Sequence, residues 1–204
     1  MSKKEVYKVS ASLINSYLNM LSNKYEDSAE QFINTLKRIP IKDNYAIKRG
    51  NAFEDAVTKF KSEPFYNIVI ECDKQVQIKK DIQLPDEAFD VRLVGAIDFI
   101  TKDRKIIYDT KRVSEWTDEK YDESVQHDFY LWAVPESEQF FYLVGSGPKW
   151  VSDEYFQVEY AKPTSEELSN RCTNVIVSFL KYLKDNNLMN IYKENYGTKS
   201  KSKK

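Results

Sequence analysis

Two apolar runs, "FDVRLVGAIDFI" (89–100) and "KIIYDTKRV" (105–113), are separated only by the polar residues "TKDR". A connection that short lets two such runs pair as an antiparallel hairpin, around which the rest of the chain must be arranged. Three charges interrupt it. Side chains alternate across a strand, so Asp109 and Lys111 share a face with Ile107 and Val113, and Asp98 shares one with Val94, Ala96 and Ile100. An unpaired carboxylate on such a face loses several kcal/mol of solvation. One solution pairs Lys111 with one Asp and leaves the other at a fraying edge. A divalent cation accommodates the set better, because it pairs with both carboxylates and leaves Lys111 available.

The tripeptide Asp-x-Lys is itself uninformative, since it occurs at Asp103–Lys105, Asp109–Lys111 and Asp118–Lys120. The first falls in the hairpin turn and the third at a polar helix start, where solvated charges are ordinary. Only the middle copy lies in a β-branched strand whose partner carries another Asp.

Hydrophobic spacing assigns the remaining elements. Residues 10–23 read as a first helix, "YEDSAEQFINTLKRI" as a second ended by Pro40, and "DNYAIKRGNAFEDAVTKFK" as a third capped by Asp43 or Asn44. Ala46, Phe53, Val57 and Phe60 lie near one face of that third helix. Its Gly50 costs about 1 kcal/mol relative to Ala, which a close approach by another backbone or a ligand would explain. "YNIVIECDKQVQIKK" reads as a half-buried strand with a break near Asp73, and "DEKYDESVQHDFYLWAV" as one helix with a Val125, Phe129, Trp132 stripe. "EQFFYLVGS" and "EYFQVEYA" are two further strands. Thr164 and Glu167 form a capping box opening a long helix with Leu168, Cys172, Val175, Phe179 and Leu183 on its apolar side. No repeat or linker is evident. The expectation is a single mixed α/β domain over residues 1–192, followed by a basic, disordered tail at 193–204 whose lysines add non-specific affinity for a polyanion.

Composition removes whole classes of chemistry. With one His (His127) and two Cys a hundred residues apart (Cys72 and Cys172), no zinc finger, zinc hydrolase or iron–sulfur cluster can be assembled. Any catalysis must run on carboxylates and lysine. The thiols read as reduced and packed, in a cytoplasmic protein. No apolar run approaches the roughly 20 residues that span a bilayer, and "MSKKEVYKVS" lacks the apolar core of a secretory signal. The net charge of −1 gives no argument for or against nucleic acid.

Four ordered segments carry a resemblance: "GNAFE" (50–54), "GAID" (95–98), "IIYDTK" (106–111) and "QHDFY" (126–130). They resemble the pattern of the PD-(D/E)XK phosphodiesterases, and within them the RecB-type exonuclease branch, whose Ser-rich first helix is similar to "VSASLINSYL". The resemblance implies a restriction-endonuclease-like core, a central mixed β-sheet flanked by helices. It implies a Mg2+- or Mn2+-dependent deoxyribonuclease, acting on linear DNA ends as an exonuclease in phage or mobile-element recombination. A recombination or single-strand annealing protein would be its partner.

By the same resemblance, Asp98, Asp109 and the backbone carbonyl of Thr110 would ligate one or two ions, with Glu54 binding directly or through water. Lys111 would orient the attacking water or stabilise the transition state, and Gln126 with Tyr130 would position the lysine or the DNA strand. Lys48 and Arg49 would contact phosphate or simply be solvated, and His127 has no fixed role in the pattern. The chain departs from the cluster-bearing members of the branch in lacking their four cysteines, and it carries no helicase motif. The competing reading is a DNA- or protein-binding module on a nuclease fold. The intact Glu54, Asp98, Asp109, Lys111 set argues against it.

Overall fold

The computed structural model describes residues 4–40, 45–147 and 154–197. Their order is β1 (Glu5–Val9), α1 (Ala11–Leu21), α2 (Ser28–Leu36), α3 (Tyr45–Lys59), α4 (Tyr66–Val69), β2 (Asp73–Ile82), β3 (Phe89–Ile100), β4 (Ile106–Val113), α5 (Asp118–Asp122), α6 (Gln126–Ala133), β5 (Gln139–Ser146), β6 (Glu154–Ala161), α7 (Ser165–Asp185) and α8 (Met189–Tyr196). The six strands form one mixed sheet in the order β1-β3-β4-β5-β6, with β2 also paired to β3. β1 runs parallel to β3 and β4 parallel to β5, whereas β3–β4 and β5–β6 are antiparallel. A parallel neighbour requires a crossover of a dozen or more residues, and the segment holding α5 and α6 supplies it between β4 and β5.

The chain divides into two compact units, one of residues 1–40, 78–95 and 169–204, the other of residues 41–77 and 96–168. In the first, Ser10 caps α1 by accepting the N–H of Leu13 at 3.3 Å. Tyr17, Phe32 and Phe179 form a buried aromatic cluster with ring centroids 5.5–6.4 Å apart. The Tyr192 hydroxyl donates to the carbonyl of Lys8 at 3.0 Å, tying α8 to the end of β1. The expected tail boundary at 192 falls inside α8, which continues to Tyr196. The remainder of that tail, 198–204, and the proposed caps Asp43 and Asn44 lie outside the described residues.

In the second unit, Phe53, Val57, Val69, Cys72, Phe99 and Leu143 make one buried cluster. Burial of Arg49, Phe53 and Val57 at four-residue spacing fixes which side of α3 meets the sheet, with α3 packed along β4. β5 is buried over most of its length, as expected of a strand with neighbours on both sides, and β6 alternates exposed and half-buried positions. Both cysteines are buried, and neither is in a disulfide.

Three expectations need correction. Residues 66–69 are helical, not extended: Phe65, Ile68, Val69 and Cys72 recur at helical spacing and pack on the core, which outweighs the β-propensity of "NIVI". The predicted helix over 118–134 is broken at residues 123–125 into α5 and α6, and Trp132 is only half-buried while His127, Phe129, Tyr130 and Leu131 are buried. In α7, Ile176 takes the buried place expected of Val175, while Leu168, Cys172, Phe179 and Leu183 are buried as expected. The Thr164–Glu167 capping box is present, with the Glu167 N–H donating to the Thr164 hydroxyl at 3.3 Å and the Thr164 N–H to Glu167 at 3.1 Å. Among the described residues, no helix is long and apolar enough to cross a membrane.

Candidate active site

The hairpin forms, and then it opens. β3 and β4 pair at Phe99↔Tyr108 and Ile100↔Ile107. Continued in register, Asp98 would oppose Asp109. Instead the N–H of Thr110 donates to Asp98 Oδ2 at 3.1 Å, and the Thr110 hydroxyl reaches the same oxygen at 3.3 Å. The carbonyl of Ala96 accepts from the Tyr130 hydroxyl at 2.8 Å. A side chain from each flank thus takes up backbone groups that a longer ladder would have used, as buried backbone polar groups require. The diverging strands hold the two aspartates at the mouth of this wedge.

Asp109 is 2 % exposed. Its Oδ1 accepts from the Gln126 side-chain amide at 2.6 Å, and Lys111 is its ion-pair partner. The Lys111 ammonium also lies 5.2 Å from the centre of the buried Tyr142 ring. Burial pushes the Asp109 carboxyl up to about 6, a rise that Lys111 opposes and the charges of Asp98 and Glu54 reinforce. Burial and the Asp98 charge likewise hold the Glu54 carboxyl above its ordinary value. Glu54 reaches the site because it follows the buried Phe53 on α3, one step round from the stripe facing the sheet.

The sequence-marked residues Glu54, Asp98, Asp109, Thr110, Lys111, Gln126 and Tyr130 are therefore gathered in one unit from α3, β3, β4 and α6. Of the two solutions offered for the hairpin charges, the Lys111–Asp109 ion pair is present, but Asp98 is not at a fraying edge: Thr110 anchors it. Gln126 meets Asp109 and the Tyr130 hydroxyl, at 2.6 and 3.4 Å. The carboxylate it meets is the one paired with Lys111.

Arg49 and Gly50 depart from what was expected of them. Arg49 is buried and donates to the carbonyl of Gly147 at 2.8 Å, so it belongs to the packing of α3 and not to a solvated phosphate-facing surface; Lys48 is exposed. Gly50 is not explained by crowding, since a Cβ there would meet nothing within 4 Å. His127 is buried and stacks on Tyr160 with ring centroids 4.1 Å apart. One side chain that no motif marks also enters the site: Gln75, near the start of β2, donates its amide to Glu54 Oε1 at 2.6 Å and to Asp98 Oδ1 at 3.4 Å. It stands in sequence as an unremarkable polar position of an alternating strand, and only the tertiary fold brings it there.

The donor set is one of hard oxygens, suited to Mg2+ or Mn2+ and unsuited to zinc or a cluster. Asp109 Oδ2 is buried and faces the Lys111 ammonium. An oxygen in that position fits a cation. Among the described residues no three His, Cys, Asp or Glu side chains form a closed ligand group. The residues expected to hold such an ion, Asp98, Asp109 and Thr110, lie together at the opened end of the hairpin.

Residues 13–188 match the PD-(D/E)XK nuclease superfamily. The chain belongs to that superfamily, whose members generally use divalent metal ions. Among solved structures, it is similar to SSO0001, with a TM-score of 0.51 at 14 % identity over 87 % of this chain and 78 % of that one. It is also similar to LHK-Exo, an alkaline exonuclease from Laribacter hongkongensis, solved in complex with dAMP. That match has a TM-score of 0.51 at 16 % identity, over 88 % of this chain and 89 % of that one. At these identities the likeness establishes the fold. No curated protein sequence matches.

Proposed function

We propose that this protein is a Mg2+- or Mn2+-dependent deoxyribonuclease of the RecB-type branch that hydrolyses phosphodiester bonds from linear DNA ends. The observation that carries the reading is the Gln126–Asp109–Lys111 arrangement facing Asp98 across the opened hairpin. Asp98, Asp109 and the Thr110 carbonyl would hold the ion, with Glu54 engaged directly or through water. The ion would supply neutralisation of charge on the scissile phosphate and acidification of water.

The chain's own residues account for the rest. In hydrolysis, the oxygen of water forms the new bond to phosphorus, the ester P–O bond breaks, and the departing oxygen takes up a proton. Lys111 is the cation available to the phosphate, where it would stabilise the charge of the transition state. To reach it, the ammonium must leave Asp109, and Asp109 then needs another cation. The same buried carboxylate thus links Lys111 to metal occupancy. Gln126 holds Asp109 Oδ1 and so leaves Oδ2 to the site, and Tyr130, fixed on Ala96, keeps the hairpin open. Action on ends would suit a role in phage or mobile-element recombination beside an annealing protein.

The test is incubation of linear and covalently closed circular DNA with the protein in Mg2+, Mn2+ or EDTA. Metal-dependent loss of linear DNA alone is expected. Nicking of circles would replace the exonuclease reading with an endonuclease, and no cleavage in either metal would overturn the activity.

A further inference from the structure

Gln75 lies where Glu54 and Asp98, two like charges, face each other, and its amide donates to both. It does so from an exposed position with a backbone φ of 51°, a left-handed conformation uncommon for a residue that is neither Gly nor Asn. Such strain persists only where the surroundings hold it, and it concentrates at functional sites. The neighbouring Asp73 is pinned in turn by an ion pair with Lys102 beyond the end of β3. The start of β2 is therefore anchored while Gln75 bends back across the mouth of the wedge.

We propose that Gln75 is a positioning residue of the metal site: it clamps Glu54 of α3 against Asp98 of β3, so that both carboxylates converge on one divalent ion. The inference rests on the metal-dependent reading of the site. A neutral donor suits this role, because an Arg or Lys at the same place would compete with the ion as a charge. A carboxylate would add a third repulsion. The Gln75 hydrogen bond and the Lys111 charge both oppose the repulsion that Asp98 exerts on the Glu54 carboxylate. Without the clamp, Glu54 would turn outward to water, and the ion would keep only the ligands supplied by β3 and β4. Groups that orient metal ligands affect affinity by about ten- to a hundredfold.

Calorimetric titration of the full chain with Mn2+ tests this without reference to turnover. Gln75→Leu is expected to weaken Mn2+ binding about tenfold or more. In a Glu54→Gln background the same substitution should have no further effect, because the clamp would have nothing to hold. Gln75→Gly provides a control for folding: glycine relieves the left-handed backbone, so this variant should melt no lower than wild type and still bind Mn2+ weakly. Unchanged or tighter binding in Gln75→Leu, or an equal loss with and without Glu54, would overturn the assignment while leaving the metal site standing. Failure of the wild-type chain to bind Mn2+ at all would instead remove the reading on which it rests.

Discussion

Two copies of Asp-x-Lys, six residues apart in one hairpin, behave oppositely. In the turn, Asp103 accepts from the Thr101 hydroxyl at 2.6 Å and the Lys105 N–H at 3.1 Å, and these bonds hold its carboxyl below the ordinary value. Lys105 looks away, to Glu138 at 2.6 Å. In the strand, Asp109 is stripped of water and its carboxyl is pushed up to about 6, despite the lysine paired with it. The residue types are the same, but the turn stabilises its carboxylate with local donors and solvent, whereas the strand leaves a charge that needs a cation. Environment therefore decides which copy can do chemistry.

The largest effect expected is that of Lys111→Ala. On the role proposed for Lys111, its loss should lower the rate of DNA cleavage by about a thousandfold, whereas Lys105→Ala should cleave at the wild-type rate. Quantitative cleavage assays on the two variants check this, and comparable loss in both would erase the distinction between turn and strand.

Next is the response to metal. Binding to the folded state alone raises stability. Mg2+ or Mn2+ should therefore raise the thermal midpoint of the wild-type protein by several degrees near neutral pH, and of Asp103→Asn equally, but not of Asp109→Asn.

The pH dependence is smaller and has a definite sign. The Asp109 carboxyl rises from 3.8 to about 6 on folding, so the folded state holds a proton that the unfolded chain releases. Its contribution is complete below about pH 4 and is lost as pH rises through about 6. Denaturant titrations without metal should show stability falling by a few kcal/mol over that window from this group, and Asp109→Asn should flatten the fall. Asp103 has the reverse sign, since a lowered carboxyl loses its stabilisation as pH falls through the folded value. Being fully exposed, it should give the smallest change, visible only in acid.

Most of the sheet was legible in the sequence because its signals are local. The run "FDVRLVGAIDFI" coincides with β3 and "EYFQVEYA" with β6. The short turn implied the antiparallel pairing that is observed. β1 gave no such signal: its five residues follow a charged stretch and are held by parallel pairing to residues more than eighty positions away. The α4 turn was misread because β-branched residues dominate it, although the helical spacing of Phe65, Val69 and Cys72 was present. At the site, Asp98, Asp109 and Lys111 were conspicuous as charges where apolar residues belong, and "GNAFE" and "QHDFY" supplied the flanks. Gln75 was not, because a glutamine in an alternating strand breaks no local rule. Only the fold places it between two carboxylates.

The most direct test compares Asp109→Asn with Asp103→Asn, each shown by circular dichroism to be folded, on the same end-labelled linear DNA in Mg2+. Cleavage should be abolished by the strand substitution and untouched by the turn substitution. Undiminished cleavage by Asp109→Asn would contradict the assignment of the opened hairpin as the catalytic centre.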